Sequence, residues 1–176
     1  MDPRTLPVQA GGWETDGPAL PVEFTRVSRD KRVTLAITPG APETAVLWTP
    51  LQLDRLDNAI SALADRENIK PNNTQYSVGY WSAQRASHHD QVTTIGSWAA
   101  DRGIEAVVWT ALKPRFMDES GRIPNVEQVI QCLDGLKGEV RTTAEQYVRR
   151  APLQISTRYR TVIEQRLGWT HQEQQA

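Results

Sequence analysis

Two short stretches of alternating residues limit what this chain can fold into more than any other feature. Residues 22–27, Val-Glu-Phe-Thr-Arg-Val, and residues 33–38, Val-Thr-Leu-Ala-Ile-Thr, both repeat with a period of two. This period places successive side chains on opposite faces of a strand. The polar residues 28–31, Ser-Arg-Asp-Lys, separate the two stretches. The pattern therefore predicts a β-hairpin.

A third strand and a helix are expected directly after the hairpin. Ala45–Trp48 is apolar throughout, which predicts a strand buried on both faces. Residues 49–52, Thr-Pro-Leu-Gln, combine a capping threonine, a proline at the first helical position and a glutamine that closes a capping box, so a helix is predicted to begin there. The helix is predicted to end near Glu67. Its apolar stripe consists of Leu53, Leu56, Ile60 and Leu63.

The rest of the chain predicts two more strands and four helices. Strands are expected over residues 76–81 and 106–109, with a helix between them that Gly103 ends. From Pro124 onward the apolar spacing is helical, with stops near Gly138 and Pro152, and a last helix is capped by Thr157 and ended by Gly168.

These elements predict an α+β fold: a mixed, curled or barrel-like β-sheet with packed helices and a helical C-terminal extension. A three-layer α/β arrangement is the alternative. The length of 176 residues suits a single domain over 1–176. Within it we expect an irregular segment (1–21), a sheet-rich core (22–112), a helical extension (124–168) and a disordered tail (170–176).

Composition narrows the partners and the compartment. The chain has 20 basic and 21 acidic residues, so no basic excess points to nucleic acid. Its longest apolar runs are about five residues, too short for a membrane span, and no secretory signal is visible at its start. Cys132 is the single cysteine, which excludes an internal disulfide. We expect a cytoplasmic protein without nucleic-acid or membrane partners; the sequence leaves its oligomeric state open.

Several of these pieces together resemble the γ-glutamyl cyclotransferase-like family. The matching segments, which lie roughly within residues 2–69, are Pro21–Arg26, Thr44–Trp48, Leu56-Asp57 and Arg66-Glu67-Asn68. The resemblance implies a γ-glutamyl-type small molecule whose own amine attacks its γ-carbonyl and releases 5-oxoproline. It implies Glu67 as the catalytic acid and base, and no cofactor. A carboxylate partly screened from water suits both proton transfers.

The same family opens with a strand and a Tyr-Gly-Ser-Leu-type loop whose backbone N–H groups hold the substrate carboxylate. This sequence begins Met1-Asp2-Pro3-Arg4 and has no such loop. Under this resemblance, we expect either a truncated chain or a natural short form that has lost substrate binding. A non-catalytic domain of the same architecture, which binds a small molecule or a protein, is therefore the alternative function.

Other residues offer further candidates beside ordinary structural roles. Trp48, Tyr80 and Trp81 are candidates for substrate contacts, although aromatic residues also serve in packing. Adjacent residues such as His88 and His89 rarely hold one metal ion, so a polar loop is favoured there and no metal site is expected. Cys132, near an apolar helical stripe, is expected to be a buried thiol.

Overall fold

The computed structural model describes residues 6–28 and 31–172 and confirms the α+β class. The strands are β1 Ala19–Val27, β2 Val33–Ile37, β3 Glu43–Ala45, β4 Val78–Ser82, β5 Ala106–Thr110, β6 Arg115–Phe116 and β7 Glu119–Ser120. The helices are α1 Leu56–Arg66, α2 Thr74–Ser77, α3 Val92–Asp101, α4 Val126–Asp134, α5 Gly138–Arg150 and α6 Arg158–Leu167, and a 3₁₀ turn covers Pro71–Asn73.

The described residues form two compact units. The first unit contains residues 6–20 and 45–112, and the second contains residues 21–28, 31–44 and 113–172. The hairpin and the C-terminal helices belong to the same unit. A single domain stays a prediction.

The predicted hairpin is confirmed and organises the sheet of the second unit. β1 pairs antiparallel with β2 and parallel with the short β6, so the five-stranded sheet is mixed. The register shifts between Phe24 and Arg26, which leaves Thr25 as an extra residue in β1. Such a bulge bends a strand, and the sheet curls as a half-barrel.

The core of the second unit lies between this sheet and helices α4, α5 and α6. Phe24 and Val33 of the hairpin belong to one buried cluster with the apolar stripes of the helices. The helical members of the cluster include Val129, Ile130, Leu133, Ala144, Val148 and Ile163. The predicted caps also form: Thr157 accepts a hydrogen bond from the N–H of Arg160 at 3.2 Å, and Gly168 ends α6 with φ 71°.

Two buried charged residues tie the second unit together. The carboxylate of Glu23 accepts hydrogen bonds from the hydroxyl of Thr157 and from the N–H of Tyr159, at the N-terminus of α6, where the helix dipole favours a negative charge. The guanidinium of Arg160, 4% exposed, donates to the carbonyls of Ala151, Pro152 and Ile155. Both charges are therefore saturated with hydrogen bonds.

The first unit has three layers: α1, the two-stranded sheet of β4 and β5, and α3. On one face of the sheet, Val78 and Val108 pack with Leu63 of α1. On the other face, Trp81 lies against Gly96, where an added Cβ would come within 2.4 Å of the indole nitrogen. Gly79 likewise leaves room for the indole of Trp109, since a Cβ there would lie 2.1 Å from the ring. This unit has the layer order that the sequence offered as the alternative fold.

The predicted start of the first helix is wrong. α1 begins at Leu56, with Arg55 at the N-cap and no side-chain cap. The hydroxyl of Thr49, expected to cap, donates instead to the carbonyl of Gly12 at 2.9 Å, and Leu51 bridges to Val8. Pairing with the N-terminal segment therefore holds these residues in an extended conformation, and the helix begins later in the sequence.

Two predicted strands also differ from the structure. β3 covers Glu43–Ala45, and residues 46–48 are partly exposed instead of forming a strand buried on both faces. The strand expected over 76–81 begins only at Val78, because Tyr76 lies in α2. β5 and the Gly103 stop after α3 are confirmed.

Only part of the predicted disordered tail lies among the described residues. The carbonyl of Thr170 accepts from Arg149 at 2.9 Å, and the N–H of Gln172 donates to the carbonyl of Arg149 at 3.0 Å. Residues 170–172 are thus bonded to α5, while 173–176 lie outside the described residues.

Candidate functional site

Glu67 is the residue directly after α1, and backbone hydrogen bonds at the end of the helix fix its position. Asn68 adopts φ 53°, its N–H donates to Asp65 at 3.1 Å, and the N–H of Ile69 donates to Ala64 at 2.8 Å. This is a Schellman ending of the helix. The Glu67 side chain is 29% exposed, and its Oε1 lies 3.7 Å from Nη1 of Arg66. Its carboxylate is therefore partly screened, on a rigid backbone.

Two cavities open in the first unit, and Glu67 lines neither of them. The first, of about 360 Å³, is lined by Leu56, Ser82, Ala83, Gln84, Arg85, Glu105 and Ala106. The second, of about 380 Å³, is lined by Trp81, Ala86, Val92, Thr93, Gly96, Ser97 and Ala100. Leu56 and Glu67 stand at opposite ends of α1, roughly 16 Å apart at 1.5 Å of rise per residue.

The three predicted aromatic contact residues do not gather around Glu67. Nε1 of Trp48 donates to Asp16 at 2.7 Å, and its ring packs edge-on against Trp98. Tyr80 lies under the guanidinium of Arg85, near the first cavity, and Trp81 lines the second. Each aromatic side chain therefore has a separate local role.

Arg85 is the best positioned polar group of the first cavity. Its guanidinium donates to Oδ1 of Asp57 and stacks over the ring of Tyr80, 5.3 Å from the centroid. The hydroxyl of Ser82 accepts from the N–H of Arg85 at 3.2 Å and donates to its carbonyl at 3.1 Å, which closes the loop. The backbone and the guanidinium of Arg85 are thus both held.

The first cavity carries opposite charges. Arg85 and Glu105 both line it. The hydrogen bond from Arg85, together with its positive charge, lowers the pKa of Asp57, and the same bond raises the pKa of Arg85. Because one carboxylate uses only some of the five guanidinium donors, Arg85 keeps others for a ligand. The arrangement suits a small molecule that has both a carboxylate and an ammonium group.

The remaining candidate groups are the histidines and Cys132. Nδ1 of His89 is buried without a hydrogen-bond partner, and no three His, Cys, Asp or Glu side chains gather to hold a metal ion among residues 6–28 and 31–172. Burial raises the pKa of Cys132, which keeps it in the unreactive thiol form at neutral pH.

No sequence pattern marks Arg85 or Glu105 as functional, and Asp57 stands out only within the Leu56-Asp57 pair. Arg85 lies in the polar stretch that also contains His88 and His89, 28 positions from its partner Asp57. Such a long-range pair leaves no local pattern. The polar loop after a strand was the one available signal, because binding residues are often on loops.

No protein-family model, curated protein or solved structure matches this chain. Within the part of the chain that the structure describes, no helix has both the length and the apolar character needed to cross a membrane.

Proposed function

We propose that this chain is a γ-glutamyl cyclotransferase-like domain that binds a γ-glutamyl-type small molecule in its first cavity. The observation that carries the proposal is the presence of both Arg85 and Glu105 on the wall of one cavity of about 360 Å³. This volume lies within the usual range of small-molecule sites, about 300–1,000 Å³. The lone cysteine fits a reducing compartment, so we place the protein in the cytoplasm.

Each end of the ligand's amino-acid group has a complementary side chain. The α-carboxylate pairs with the guanidinium donors of Arg85 that Asp57 leaves unused, and planar guanidinium suits carboxylate better than ammonium does. The α-ammonium pairs with Glu105. Since Asp57 and Tyr80 already hold Arg85, little side-chain entropy is lost when the ligand binds.

Cyclising turnover is a second, separable proposal. In it Glu67 accepts a proton from the α-ammonium, and the freed amine attacks the γ-carbonyl carbon. The ring nitrogen then loses a second proton to solvent, and Glu67 passes its proton to the departing amine nitrogen as the amide C–N bond breaks. The partial screening of the Glu67 carboxylate favours this role. Glu67 lies roughly one helix length from the cavity, so turnover requires that the ligand also bind next to Glu67.

Calorimetric titration with a γ-glutamyl dipeptide tests the binding proposal. Arg85→Gln and Glu105→Gln should each weaken binding about 10- to 100-fold, because each removes a charged hydrogen-bond partner. The α-N-acetylated dipeptide, which lacks the ammonium, should bind Glu105→Gln and the unchanged protein equally. Undiminished binding by Arg85→Gln overturns the assignment of the cavity.

Release of 5-oxoproline tests turnover in the same samples. Binding without release supports the non-catalytic form of the proposal. Release that is abolished by Glu67→Gln, with binding intact, supports the cyclotransferase form. Equal release by Glu67→Gln and the unchanged protein removes Glu67 from the mechanism.

A further inference from the structure

The ladder between β4 and β5 decides which backbone groups of β5 remain open. The N–H of Ala111 donates to the carbonyl of Ser77 at 2.9 Å, and the antiparallel register continues with Gly79 opposite Trp109. In such a ladder, alternate residues direct their N–H and C=O groups to the same side. Three residues of β5 therefore direct both groups away from β4: Ala106, Val108 and Thr110.

The two edges of this small sheet differ. The loop after β4 folds back along the β4 edge, where Ser87 donates to Tyr80 at 2.9 Å and Ser82 donates to Arg85 at 2.8 Å. No hydrogen bond reaches the outward groups of β5 from any described residue. Ala106 and Thr110 are exposed and Val108 is partly exposed. The edge also lacks the proline, charge or bulge that usually protects an exposed strand.

We propose that β5 pairs antiparallel with β5 of a second copy of this chain, around a two-fold axis at Val108. In this register Val108 faces Val108 of the partner subunit, and Ala106 faces Thr110 of the partner subunit. The three outward residues of each copy then exchange six hydrogen bonds. The result is one continuous four-stranded sheet, and a sheet of three or more strands is more stable than a lone pair.

The edge itself favours a second copy over an unrelated extended peptide. Its outward residues lie symmetrically about Val108, so a two-fold rotation places each outward N–H of one copy opposite an outward C=O of the other. The residues that meet are small or β-branched and uncharged, so no like charges oppose each other. An isologous interface of this kind is the commonest in homo-oligomers.

Proline at position 110 tests the proposal without disturbing β4. The Thr110 N–H points outward, so Thr110→Pro removes two symmetry-related bonds of the dimer and no bond of the β4–β5 ladder. Sedimentation should show a concentration-dependent dimer, with its Kd raised about tenfold to thirtyfold by Thr110→Pro. Thr110→Ala keeps the N–H and should leave the Kd unchanged.

Two further measurements do not depend on the folding of the proline variant. Hydrogen exchange should be slow at the amides of Ala106, Val108 and Thr110 in the dimer. An Ala106→Cys, Thr110→Cys double variant in a Cys132→Ser background should form covalent dimers on mild oxidation. A chain that stays monomeric at high concentration, or a dimer that gives no such cross-link, overturns the proposal. Slow hydrogen exchange at these three amides in a monomer also overturns the proposal.

Discussion

The two units of the molecule are packed to different depths. Of the eleven largest fully buried side chains, nine lie in the second unit and two, Val78 and Ile95, in the first. The second unit has a bent sheet covered by three helices, whereas the first has only two strands between two helices. Both described cavities and the open edge of β5 belong to the first unit. The unit with fewer buried side chains has the free polar groups that binding requires.

Charged residues follow the same division. In the second unit, Glu23 and Arg160 are buried and fully hydrogen-bonded. In the first unit, Asp57 and Arg85 form an exposed ion pair. The guanidinium of Arg85 has further N–H donors that Asp57 does not use. A buried charge mainly stabilises the unit that contains it, because its removal leaves unpaired groups behind. An exposed charge contributes little stability and is available to a ligand.

Arg160→Leu should have the largest effect on stability. It removes the donor that serves three buried carbonyls between residues 151 and 155, so we expect a loss of about 3–5 kcal/mol in the free energy of unfolding. Urea unfolding measures it. The matched control is Arg158→Leu on the same helix, which is exposed and should cost under about 0.5 kcal/mol. Equal losses would show that the buried guanidinium is not what holds this segment.

A pair of leucine truncations compares the two cores directly. Leu133 of the second unit is fully buried in the large cluster, and Leu63 of the first unit is buried in a small one. Leu→Ala costs about 2–5 kcal/mol, depending on the cavity left behind. We expect Leu133→Ala near the upper end of that range and Leu63→Ala near the lower end. A larger loss for Leu63→Ala, by the same urea measurement, contradicts the difference in packing.

Local patterns were enough to predict much of the second unit. The hairpin followed from its period of two, and α6 followed from a capping Thr157 and a terminal Gly168. Each signal lies within a few residues of the element that it defines. The β1–β6 pairing was not predictable in this way, because it joins Arg26 to Arg115, which lie far apart in the sequence.

The first unit shows why local signals fail. Residues 49–52 match the capping-box pattern, but the hydroxyl of Thr49 donates a hydrogen bond to the carbonyl of Gly12, 37 positions away. Glu67 is a candidate only because it matches the acidic residue of the family motif, and no local pattern states which cavity a side chain lines. Arg85 acquires its role only through Asp57 and Tyr80. Binding sites that combine distant residues need the fold before they can be identified.

The smallest expected effect concerns Asp16, which joins the N-terminal segment to α3. The hydrogen bond from Trp48 lowers the pKa of Asp16 from its ordinary 3.8, and the hydrogen bond and charge of Arg102 lower it further. A carboxylate with a lowered folded pKa contributes stability above pH 3.8 that is lost as the pH falls through the folded value. Asp16→Asn should therefore be slightly less stable than the unchanged protein at neutral pH and equally stable in acid.

Urea midpoints of both proteins between about pH 6 and about pH 2 test this expectation, with the Trp48 indole N–H resonance as the local probe. The exposed carboxylate is screened by solvent, so the difference in midpoint should be small. The difference in urea midpoint should disappear on acidification, over the same pH range in which the Trp48 indole resonance of the unchanged protein shifts. A difference that persists in acid would mean that Asp16 acts through packing and not through its charge.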